Sequence, residues 1–103
     1  MKHQLENIHL PDYPFVSKQV ASQLTGLSAE TLKKYRLEGK LQKEIHWISI
    51  NPRVVKYNIV LILDWMQNHN SNPQGHLRAI ENYLDSLPSN QKKNKRSLSP
   101  KVN

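Results

Sequence analysis

The chain has 103 residues, no cysteine, 37% hydrophobic residues and a formal net charge of +7. That length holds one domain and a tail, and the low apolar share leaves part of the chain outside any packed core. The missing cysteines exclude a disulfide framework and a thiolate metal site and fit the cytoplasm, while no apolar run reaches membrane-spanning length and no signal-peptide core opens the chain.

In chain order, residues 1–14 are polar, and Pro11 and Pro14 favour an extended backbone between them. They read as an arm, whose plainer alternative is a frayed end or an added β-edge. A first helix is predicted from Ser17, whose hydroxyl suits an N-cap, with Val20, Ala21 and Leu24 on its inner face. Thr25-Gly26 ends it, because glycine takes left-handed dihedrals without a Cβ clash. Ser28 caps a second helix, and Glu30 lies in its first turn, where the macrodipole favours negative charge. Leu32 faces the core, and Lys33, Lys34 and Arg36 surround Tyr35 with cationic surface before Glu38-Gly39 closes the helix.

Residues 41–57 alternate as strands do, with Ile45, Trp47 and Ser49 on one side and His46, Ile48 and Ile50 on the other. Asn51-Pro52-Arg53 forms the turn and residues 54–57 the return strand. The result is a ribbon with Arg53 at its tip. Asn58 caps a third helix running to about His69, with Ile59, Ile62, Leu63 and Met66 inward and a second apolar strip of Leu61 and Trp65 that needs cover. Asn72-Pro73 opens a last helix, along which Leu77, Ile80, Leu84 and Leu87 repeat as a helical seam until Pro88. The seam either packs back on the third helix or also pairs with a second copy, burying Trp65 with it. The basic residues 89–103 have no apolar periodicity and read as a disordered tail.

The charge is uneven. Residues 16–57 carry eight cations against three acids, and residues 88–103 carry five cations and no acid. Residues 1–15 and 58–87 are both slightly acidic. A basic stripe on a compact helical unit is the footprint expected for phosphate. No enzyme is indicated: the five histidines are scattered without ligand spacing, and neither a glycine-rich phosphate loop nor a nucleophile motif occurs. No cofactor is expected.

Two helices joined by a short glycine-containing turn, with cations on the second, form a helix-turn-helix pattern. VSKQVASQLTGLSAETLKKYRLEGKL, the later HW, and the KYN opening the third helix resemble the winged helix-turn-helix of MerR-type transcription regulators and of phage excisionases. Thr31-Leu32-Lys33-Lys34-Tyr35 with Gly39 is the MerR-like part; HW ahead of a proline turn and Tyr-Asn looks closer to the excisionases. The resemblance covers about half of the chain. It implies a fold that is mostly α with a small β-ribbon: an arm (1–14), a winged helix-turn-helix (15–70), a dimerisation helix (71–88) and a tail (89–103).

The resemblance further implies contacts to double-stranded DNA from Lys33 and Tyr35. Ser17, Lys18, Ser28, Thr31, Lys34 and Arg36 complete the candidate surface. The position of the family's wing arginine holds Val55 here, so the ribbon contact falls to Arg53 or Lys56. The implied function is a homodimeric repressor on an inverted-repeat operator at the bacterial nucleoid. No effector domain follows the reading unit, so no small-molecule effector is expected. Small repressors of this type also occur beside mobile elements, including CRISPR-associated transposons. The alternative is an excisionase-like architectural protein that bends DNA in site-specific recombination.

Overall fold

The structure, a computed structural model, describes residues 14–90. The expected arm up to residue 13 and the tail from residue 91 lie outside the described residues. Elements follow in the order β1 (Phe15–Val16), α1 (Lys18–Thr25), α2 (Ala29–Leu37), β2 (Trp47–Asn51), β3 (Val54–Asn58), α3 (Ile59–Asn68) and α4 (Pro73–Ser86). The class is mostly α with a small antiparallel sheet. Among the described residues, no helix is long and apolar enough to cross a membrane.

Each helix starts where a short polar side chain replaces the missing intrahelical acceptor. Ser17 accepts from the Val20 N–H, Ser28 from Thr31, Asn58 from Leu61 and Asn72 from Gly75. Gly26 ends α1 at a φ of 76°, and its N–H donates to the Ser22 carbonyl. At the far end of α4, Leu87 precedes Pro88 and is extended, which stops the helix.

The sheet has the order β1-β3-β2, so the return strand of the ribbon is central. Phe15 and Val16 pair with Asn58 and Tyr57, and Trp47 pairs with Tyr57 on the other side, with an irregularity between Ser49 and Asn51. Ala21, Leu32, Leu41, Tyr57 and Ile62 form the buried core, drawn from both short helices, the ribbon and α3. Along α1 only Ala21 is fully buried, and Val20 remains 38% exposed.

Residues 41–46 correct the expected strand. They form a turn in which Glu44 takes a φ of 71°, and β2 begins only at Trp47. Leu41 is buried in the core, and its carbonyl accepts from Trp47 Nε1 at 3.0 Å. His46 is buried whereas Ile50 is well exposed, so the two do not share a strand face. A buried imidazole with specific partners outweighed the alternation of apolar residues.

The second apolar strip on α3 divides. Leu61 is buried, and α4 packs along α3 to bury Ile80 and His76. Trp65 is instead half-buried against the core and meets Tyr35 edge-on at 5.5 Å and His69 stacked at 4.4 Å. Leu84 and Leu87 are half-buried, and Leu77 is the exposed member of the seam.

Candidate nucleic-acid interface

The first turn of α1, the outer side of α2 and the ribbon enclose an open groove of about 530 Å³. Ser17 and Lys18 line it from α1, Glu30, Lys33 and Arg36 from α2, and Arg53 and Lys56 from the ribbon. Lys33 and Arg36 reach it together because residues three apart share a helical face. Arg53 is placed at the ribbon turn, where its N–H donates to Asn51 Oδ1 at 2.8 Å. Five cations thus face one acid among the residues lining the groove. Concave cationic surface concentrates field lines and attracts polyanions.

The cations are held differently. Lys18, Lys33 and Arg53 are exposed, with no side-chain partner among the described residues, so they can follow a backbone of phosphates. Arg36 is half-buried, with its guanidinium carbon 4.8 Å above the Trp47 ring and its Nε donating to the Tyr57 hydroxyl at 3.0 Å. The aromatic faces and that hydroxyl fix its plane, which a lysine ammonium could not match.

The other candidate residues lie around the groove rather than in it. Lys34 is exposed with Lys33, Glu30, Leu37 and Glu38 on the neighbouring face of α2. Ser28 Oγ accepts from the Thr31 N–H at 3.1 Å and donates to Thr31 Oγ1 at 2.9 Å, so both hydroxyls are engaged in the cap of α2. Tyr35 packs toward the core, with Trp65 at its edge and the Lys40 ammonium 5.0 Å from its ring. Of the proposed dimer residues, Ile80 is buried on α3 within the chain, whereas Leu77 is exposed.

Two residues with clear roles at the groove escaped the sequence reading. Trp47 and Tyr57 shape the seat of Arg36, yet they stand 11 and 21 positions beyond it. A tyrosine and a tryptophan paired across a two-stranded ribbon are a legible signal, since cross-strand neighbours share a face. No protein-family model matches the chain, and neither a curated protein nor a solved structure resembles it significantly.

Proposed function

We propose that the chain is a sequence-specific double-stranded DNA-binding transcription regulator, and most simply a cytoplasmic repressor that acts as a homodimer without an effector, a cofactor or catalysis. The observation that carries this reading is the groove in which Lys18, Lys33, Arg36, Arg53 and Lys56 converge from α1, α2 and the ribbon. In this reading α2 enters the major groove, α1 crosses the backbone and the ribbon reaches the adjacent phosphates, so the ribbon is the wing of a winged helix-turn-helix. The mobile lysines neutralise phosphates without reading sequence, and Arg36 grips a guanine edge. Control of a mobile element is the role that the sequence resemblance suggests for such a regulator.

The test is an anisotropy titration on a duplex recovered by selection and on a scrambled duplex, at several salt concentrations. The expected result is tighter binding to the selected site and a falling log affinity with log salt. If Lys33→Ala and Arg36→Ala both leave affinity unchanged, the reading fails.

The partial burial of the α4 seam favours a second reading, the excisionase-like one. Ile80 is used within the chain, and less apolar surface is left for a second copy. Monomers bound side by side on direct repeats, detected by light scattering and footprinting, support an architectural role. A two-fold dimer on an inverted repeat, with reading helices about one DNA turn apart, supports the regulator.

A further inference from the structure

His46, His76 and Asp64 come from the 41–46 turn, α4 and α3, and successive hydrogen bonds join them. The Gln42 backbone N–H donates to His46 Nδ1 at 2.9 Å, so that nitrogen carries no proton. Neutral His46 therefore holds its proton on Nε2, which is 2.9 Å from His76 Nε2. His76 accepts there and carries its own proton on Nδ1, 2.8 Å from Asp64 Oδ1. One backbone amide thus sets the tautomer of both rings. His46 and His76 are 1% and 6% exposed. A metal ion on His46 Nε2 would require a proton on Nδ1, facing the Gln42 N–H, so the arrangement suits neutral rings and not a cation.

We propose that this chain of groups is a proton-operated joint between the α3–α4 hairpin and the turn that launches the ribbon, closed while both imidazoles are neutral and opened by uptake of one proton. An added proton has two places to go. On His46 Nδ1 it meets the Gln42 N–H, and on His76 Nε2 it meets the Nε2–H of His46. Either way two donors face each other and a bond of the chain is lost. The bond between His76 Nδ1 and Asp64 lies within the hairpin and survives either loss.

The hairpin therefore stays together, and the contact that breaks is the one to His46. The turn contributes Lys43 and Glu44, both exposed, and Lys43 lies 5.7 Å from the Trp47 ring. On α4, Arg78 and Glu81 are exposed. From β3, the Asn58 N–H meets the His46 carbonyl at 2.8 Å.

Burial, with His76 beside it, lowers the pKa of His46 from 6.5 to about 4. Released to water, the ring regains its ordinary affinity for protons. Opening is therefore favoured about tenfold for each pH unit between 6.5 and 4. The turn leads directly into β2, so the part of the fold set loose is the lead-in to the ribbon, while β3 stays continuous with α3.

Two measurements on the full chain test the joint. Long-range proton–nitrogen NMR at pH 7.5 should find His46 protonated on Nε2 and His76 on Nδ1; the opposite tautomer on His46 overturns the proposal. Amide exchange at Gln42, corrected for the intrinsic rate, should speed up about tenfold per pH unit from 6.5 to 4. Ile62 in the core, which exchanges through global unfolding, should stay far better protected than Gln42 at every pH. A flat profile at Gln42, or protection there equal to that of Ile62, overturns the joint. In His46→Asn, which has no ring to titrate, the Gln42 slope should vanish, and its persistence also overturns the proposal.

Discussion

Arg36 and Lys33 lie one helical turn apart on α2 and line the same groove, yet their surroundings give them different work. Arg36 is seated on Trp47 and bonded to Tyr57, so its free edge presents fixed donors. Fixed donors discriminate, because the wrong base leaves them without partners. Arg36→Ala should lower discrimination between the selected and scrambled duplexes by about 1–3 kcal/mol. Lys33→Ala should weaken both complexes alike and reduce the salt slope by about one. Anisotropy titrations against salt separate the two outcomes, and equal behaviour of the two variants would remove the distinction. The cations of this site were legible from residue type and helical spacing. The seat of Arg36 was not, because it is made by residues distant in sequence whose ribbon register had first to be known. Tyr35 was a candidate through the resemblance alone, and its ring packs against Trp65 and the core.

Helix boundaries were the most legible elements, since each is written locally in a cap. Ser17, Ser28, Asn58 and Asn72 all act as expected, and so does Gly26. A Cβ at Gly26 would meet nothing within 4 Å, so any penalty there is conformational and not steric crowding. Gly26→Ala should therefore cost about 1–2 kcal/mol, read as a lower urea midpoint with an unchanged slope. The 41–46 turn was illegible for the opposite reason: its shape depends on Leu41 entering the core and on a histidine partner 30 positions away. The α4 seam was half legible. Its periodicity was correct, but sequence alone left open whether α3 or a second copy covers it. If the remaining surface around Leu77 and Leu84 still pairs two chains, Leu84→Glu should convert a dimer to a monomer in light scattering. A wild-type protein that is monomeric at tens of micromolar would rule that surface out.

At the scale of the whole molecule, the burial of His46 makes stability depend on pH. Unfolded His46 binds a proton near pH 6.5, whereas the folded residue does so only near pH 4. Between these values the unfolded state holds more protons, so stability falls as pH falls. It is complete above 6.5, declines through the window, and levels near 4 with a loss of about 3 kcal/mol. Urea unfolding from pH 7.5 to 4 checks this, and His46→Asn should flatten the dependence across that window. The histidines are scattered in the sequence, and no local spacing joins His46 to His76. Positions 46, 64 and 76 meet only because α3 and α4 fold back on each other beside the turn.

The strand β3 passes into α3 with no connecting residue: Asn58 ends one and Ile59 begins the other. Five strand residues span about 17 Å and ten helical residues about 15 Å, and Asn58, wholly buried, clamps the junction through its bond to Leu61. Mechanically this is a bell crank: one rigid piece, bent at Asn58, with the ribbon tip at one end and Gln67 near the other. Any push that moves Arg53 as a body must swing the end of α3 and carry α4 with it. Spin labels at positions 53 and 67 should hold one distance in the free and bound protein, even as both move relative to α2.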